Sequence, residues 1–221
     1  MQSLVGRGLV GLGLALALVG CGVGPEGPMT ITPRFTPTGK TETVAVVGSG
    51  IPITLLPIVD KRADPTTIGK NSEESPPIPI KASSAEITNM VMTALTRQLT
   101  AAGYTMAPSS PVNINVELTQ FFVDEGNIYR GTVVLKVNVV KDGNTTTFVV
   151  TGSAKRWGAS LSEGNYNEVL SDCLVNAAQD LVKAPGFQAA LGGLPDPEAP
   201  AAAPPADGPS AVQMSAPGKA P

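Results

Sequence analysis

Asp60 and Asp64, four residues apart and flanking Lys61 and Arg62, are the carboxylate pair best placed for chemistry in this 221-residue chain. Two such groups can divide the roles of general acid and general base. A plainer reading stands beside that one. Asp64 precedes Pro65, which is ordinary turn chemistry, and the adjacent cations favour local ion pairing. A structural loop and a partner contact therefore rank ahead of catalysis, and Asp60 and Arg62 are candidate contact residues. Glu73-Glu74 and Asp124-Glu125 read as solvated loop charge. The chain has no His, which removes Ser-His-Asp and Cys-His catalysis and His-ligated zinc, and its two cysteines cannot build a thiolate zinc site. Gly48-Ser49-Gly50 has neither a nucleophile elbow nor a phosphate-loop lysine around it, so it reads as a turn. Cys173 falls on the apolar stripe of a helix, where a thiol is expected to be buried and inert. No catalytic residue, metal or cofactor is expected, and the chain reads as a non-enzyme.

Cys21 carries a different chemistry. Arg7 precedes an uncharged run, Gly8 to Gly20, whose 13 residues fall far short of a bilayer core of roughly 30 Å. A basic start, a short apolar stretch and then small residues make a secretory signal. Leu18-Val19-Gly20-Cys21 resembles the lipobox of bacterial lipoproteins, in which the chain is cut before a cysteine carrying diacylglycerol. Residues 1–20 are thus expected to be removed, and acylation at Cys21 would hold the mature chain to a membrane without a spanning helix. Gly22 rather than Asp follows the cysteine, which points to the periplasmic face of the outer membrane. With 15 basic against 18 acidic residues and a pI near 5.0, the chain lacks the cationic surplus that nucleic acid requires.

The elements that position these residues lie between two flanks rich in Gly and Pro. Residues 21–43 read as a lipidated N-terminus and flexible tether, and residues 185–221, dominated by Ala and Pro, as a disordered tail. The domain between them, 44–184, opens with an apolar strand over Ile51–Val59, with Thr43–Val47 a possible predecessor, limited by Pro52 and Pro57. A loop follows from Asp60 to about Lys81. Ser83 with Glu86 forms a capping box ahead of Ile87, Met90, Val91, Ala94, Leu95 and Leu99, a helical stripe stopped by Gly103. Alternation then marks three half-buried strands, around Val112–Leu118, Val133–Val139 and Phe148–Ala154, the last two joined at Asp142-Gly143. A second helix starts near Ser162 and carries Tyr166, Val169, Leu170, Cys173, Leu174 and Ala177 on one stripe, ending before Pro185. Trp157 is expected to close the end of a strand.

The order β-α-β-β-β-α predicts an α+β, two-layer sandwich: a mostly antiparallel four-stranded sheet with both helices packed on one face. The other face would stay open, bearing Asn113, Asn115 and Lys136 as further candidate contacts.

The segments Ser110-Pro111-Val112-Asn113, Leu118 through Asp124, the turn at Gly143-Asn144, Leu170-Ser171-Asp172, Thr30-Ile31-Thr32-Pro33, and Val59-Asp60-Lys61-Arg62 with Ile68-Gly69 together resemble the YajG family of bacterial lipoproteins, over roughly Cys21 to Ala184. The resemblance implies an envelope lipoprotein and supplies no catalytic residues. The expected function is a non-enzymatic accessory, scaffold or partner-binding domain facing an envelope protein. The alternative is a ligand-binding or catalytic domain acting on cell-wall or lipid material through the open face or the Asp60 loop.

Overall fold

The computed structural model describes residues 27–39, 48 and 50–192. The signal segment, Cys21, the possible strand at Thr43–Val47, part of the expected tether and residues 193–221 of the expected tail lie outside them. In chain order the elements are β1 (Met29–Thr30), β2 (Pro52–Leu55), β3 (Val59–Asp60), β4 (Thr67–Asn71), β5 (Ile78–Lys81), α1 (Ser84–Ala101), β6 (Thr105–Met106), β7 (Val112–Glu125), β8 (Tyr129–Lys141), β9 (Asn144–Arg156), α2 (Glu163–Lys183) and α3 (Pro185–Ala190).

The three alternating segments become the long strands β7, β8 and β9, paired antiparallel in sequence. Their inward residues, such as Ile114, Val116, Val133, Leu135 and Val137, are buried. Asp142 and Gly143 both take positive φ (50° and 78°), the twist a two-residue hairpin demands.

The expected four-stranded antiparallel sandwich with two helices is overturned: the structure holds one mixed sheet of nine strands, with three helices among the described residues. The difference lies along the free edge of β7. Three short strands lie end to end there, all parallel to it: β2 beside Asn113–Ile114, β3 beside Glu117–Leu118 and β4 beside Val123–Glu125. Pro57, which has no N–H, splits the run 51–59 into two of these pieces. Leu56 N–H still reaches Ile114 O and Lys61 N–H reaches Leu118 O, both at 2.9 Å. The stretch read as a loop from Asp60 to Lys81 folds back as an antiparallel hairpin, β4–β5, and β1 extends it in parallel. At the opposite end β6 adds in parallel to β2. Thr119 sits at a register shift between Leu118 and Gln120, so burial resumes on odd residues, at Phe121, Val123 and Glu125.

Both long helices start at the expected caps: Ser83 Oγ accepts from Glu86 N–H, and Ser162 Oγ from Asn165 N–H. The α2 helix lies directly on β8 and β9. A Cβ on Gly152 would fall 1.8 Å from the Cys173 carbonyl oxygen, and one on Gly131 would fall 2.4 Å from a Val169 methyl. Glycine at these two places lets the helix backbone touch the sheet.

Two expected boundaries move outward. Residues 29–39, assigned to the flexible tether, are bound to the domain. Pro185–Ala190, assigned to the disordered tail, is helical and buries Phe187 edge-on against Tyr104 and Phe148.

Candidate functional site

The Asp60 loop is built to hold itself. Arg62 grips Asp60 through two parallel bonds, Nε to Oδ1 at 2.9 Å and Nη2 to Oδ2 at 2.7 Å, with side chains 5% and 9% exposed respectively. The guanidinium also donates to the carbonyls of Thr67 and Pro65, and it sits 5.8 Å from the centre of the Phe121 ring. Ser84 at the start of α1 donates to Asp60 Oδ2 at 2.9 Å. Burial pushes the Asp60 carboxyl up, but the bonds from Arg62 and Ser84 outweigh it and hold the group below the usual aspartate range. Asp64 accepts the amides of Thr66 and Thr67 and the Thr66 hydroxyl, a turn lock that lowers its pKa strongly. A shallow cavity of about 260 Å³ opens here, lined by Arg62, Asp64, Thr67 and Thr119–Phe122. Its two charged groups, Arg62 and Asp64, are engaged by hydrogen bonds to residues 60–67.

Asn113, Asn115 and Lys136 lie on the other side of the sheet. Asn115 stands opposite Asn138, which accepts from the Thr147 hydroxyl at 2.7 Å, while Lys136 pairs with Glu117 at 3.3 Å. Thus the five expected contact residues do not share one surface: Asp60 and Arg62 face α1, and the other three face outward. Val149, 67% exposed, stands opposite Lys136 in the middle of the open face.

Two clusters were not expected. In the first, Glu125, read as solvated charge, is 1% exposed. Its carboxylate accepts from the Tyr166 hydroxyl, the Ser160 hydroxyl (2.8 Å) and Leu161 N–H (2.7 Å). Asn71 donates to Ser160, and the Tyr129 hydroxyl donates to Ala159 O while accepting from Ser162 N–H. The two tyrosine rings meet edge to face at 5.1 Å, and burial raises the pKa of both. This cluster pins the loop between β9 and α2. Trp157 at the head of that loop closes nothing: it is 77% exposed.

In the second cluster the extended arm 31–39 runs along α2, and alternate backbone amides are caught by helix side chains. Thr32 N–H donates to Glu163, Arg34 N–H to Asn167, Thr36 N–H to Ser171 and Thr38 N–H to Asp172. Asn167 returns a bond to Thr32 O. Positions 163, 167 and 171 recur every four residues on one helix face, and arm amides two apart point the same way, so the two periods match. That polar stripe beside the apolar one is the signal that could have revealed the arm. Phe35 seats the arm, with Arg97 5.4 Å from its ring centre.

Cys173 is fully buried, and loss of solvation pushes its thiol up to about 12. Among the described residues, no group of three or more His, Cys, Asp or Glu comes together as a metal site, and no helix is long and apolar enough to cross a membrane.

The model of a family described as uncharacterized lipoprotein matches residues 30–191. The chain belongs to this lipoprotein family. The YajG lipoprotein of Escherichia coli K12 is 26% identical over 180 residues, covering 74% of this chain and 86% of that protein. The YajG protein of Escherichia coli O6:H1 matches to the same extent. Among solved structures, the protein XCC0632 from Xanthomonas campestris aligns with a TM-score of 0.45 at 13% identity, over 71% of this chain and 93% of that one. The family match begins in β1, just before the arm, and runs one residue past α3, so the YajG-type unit includes both the arm and α3, which the sequence assigned to its flanks.

Proposed function

We propose that the chain is an envelope lipoprotein, acylated at Cys21 and held at the periplasmic face of the outer membrane, where its domain acts as a non-enzymatic accessory or scaffold for an envelope protein. What carries this reading is the contrast between engaged and open groups. Asp60, Arg62, Asp64 and Glu125 are each held by two or more hydrogen bonds within the fold. The outward face of β7–β9, by contrast, is covered by no element among the described residues, and its 13- and 14-residue strands at about 3.3 Å per residue run some 40 Å. The strand β9 is also the edge of the sheet, a place where a partner strand can add. The test has two parts. Palmitate label should enter the protein and be lost in Cys21→Ser. A photo-cross-linker at Asn115 or Val149 in intact cells should capture a discrete envelope protein, while one at Thr93, exposed on α1 on the other side of the sheet, should not. Equal capture from both sides would refute the assignment of the face.

A further inference from the structure

Trp157 is the one tryptophan of the chain, and with Val59 and Val149 it makes up the large exposed hydrophobics among the described residues. Its indole makes no hydrogen bond or ring contact with any described residue. The loop it opens, Trp157-Gly158-Ala159-Ser160-Leu161, contains no charge. Nor is the loop loose. Ala159 O accepts from Tyr129 and Asn165, Ser160 is held between Asn71 and Glu125, and Leu161, at φ 52°, donates its N–H to Glu125. A Cβ on Gly158 would lie 2.0 Å from the Asn165 side chain, so the loop is pressed onto the first turn of α2. A buried polar cluster thus holds an apolar side chain out into water.

The arm enters the domain at that same end. Thr32 bonds Glu163 and Arg34 bonds Asn167, so the arm starts at the N-terminus of α2 and runs along it. Cys21 precedes Gly27 by six positions, a reach of about 20 Å even when fully extended. The acyl chains of Cys21 must therefore lie near the end of the domain that displays Trp157. Beside that loop Lys155 stands opposite Arg130 in register; both are exposed, and neither has a carboxylate within ion-pair distance among the described residues. Glu73 and Glu74, exposed on the adjoining β4–β5 turn, offset these cations, so the contact depends on the indole more than on net charge.

We propose that Trp157 seats in the headgroup layer of the bilayer that holds the Cys21 acyl chains, orienting the domain on the membrane. The inference rests on the anchoring reading above. An indole suits that depth because its ring is apolar and its N–H can still find a polar partner.

The single tryptophan makes the test direct. The acylated full chain is reconstituted in vesicles of phosphatidylethanolamine and phosphatidylglycerol and compared with the Cys21→Ser protein in buffer. In vesicles the emission should shift to the blue, brominated lipid should quench it, and the acrylamide quenching constant should at least halve. Trp157→Phe should abolish the signal and leave palmitate incorporation unchanged. An acylated protein that floats with the vesicles while its indole stays fully quenchable from water, and untouched by brominated lipid, would overturn the placement. An unlabelled Cys21 would overturn the anchor itself, and the placement with it.

Discussion

Replacing Arg62 with Met keeps most of the stem that lies near Phe121 but removes the guanidinium. Asp60, 9% exposed in the parent chain, would then keep only the Ser84 hydroxyl and the amide of residue 62 as donors. Breaking a buried pair from one side costs about 3 to 5 kcal/mol, because the surviving charge is left without its partner. The carbonyls of Thr67 and Pro65 lose their donor in the same step. For a domain of this size each kcal/mol lowers Tm by about 2 to 4 °C, so Arg62→Met should melt roughly 6 to 20 °C below the parent chain. Equilibrium urea unfolding followed by circular dichroism measures the loss directly. The double variant Asp60→Leu/Arg62→Met removes the stranded charge and should recover part of it. There is also a pH signature. The Asp60 pKa is depressed in the fold, so its contribution is complete above the ordinary aspartate range, about pH 4, and is lost as the pH falls through the lower folded-state value. Asp60→Asn should flatten that part of the acid limb. A single variant within about 1 kcal/mol of the parent, or single losses that simply add in the double variant, would refute a coupled buried pair.

Three further outcomes follow from the packing. Gly152→Ala places a methyl 1.8 Å from the Cys173 carbonyl and should cost at least about 1 to 3 kcal/mol, read as a lower urea midpoint; an unchanged midpoint would mean that α2 does not lie on β9 as described. The Cys173 thiol, buried and pushed up to about 12, should resist maleimide at neutral pH in the native chain and label stoichiometrically in urea, whereas rapid native labelling would contradict its burial. Asn167→Ala removes two bonds to the arm and should speed protease cleavage between Gly27 and Gly39 several-fold while cleavage elsewhere stays as it was; uniform acceleration would show that the arm is not a separate unit.

What the sequence revealed was governed by the length of each pattern. The strands β7, β8 and β9 alternate over many residues and α1 and α2 carry full stripes and caps, so period alone finds them. The strands β1, β3 and β6 are two residues long, too short for any period. Likewise β4 and β5 are hidden by the Pro- and Ser-rich turn between them. The edge of β7 that receives β3 and β4 is a non-local partner that no window contains. Glu125 reads as solvated charge for a related reason. The register shift at Thr119 moves the buried set from even to odd positions, and Glu125 continues Phe121 and Val123 inward. At the candidate contacts, residue type identified the Asp60–Arg62 pair, but its direction required the fold. A spacing of two at a strand end puts both residues on one side of a sheet without saying which side, and Ser84 at the start of α1 is what marks the pair as internal.

The arm changes what an anchor at Cys21 would do. A leash ending at residue 43 would reach about 70 Å at full stretch, enough to carry the domain clear of the headgroups and toward distant partners. With residues 29–39 fastened to β5 and α2, six positions separate the cysteine from Gly27, and the reach drops to about 20 Å. Association then happens close to the bilayer, and orientation matters more than range. Freeing the arm would return the longer leash: its four amides are bound to Glu163 and Asp172, exposed and half-buried, and to Asn167 and Ser171, which are buried, and such bonds contribute about 1 kcal/mol each. A protein docking on that face of α2 could therefore compete for Asn167 and Ser171 and lengthen the tether as it binds. With an anchor at Cys21, the chain length between it and the domain would thus be set by hydrogen bonds along one helix rather than by composition alone. Cross-linking from residue 35 to α2, compared in membranes with and without a captured partner, reads this directly: equal yields in both states would leave the arm as a fixed strap.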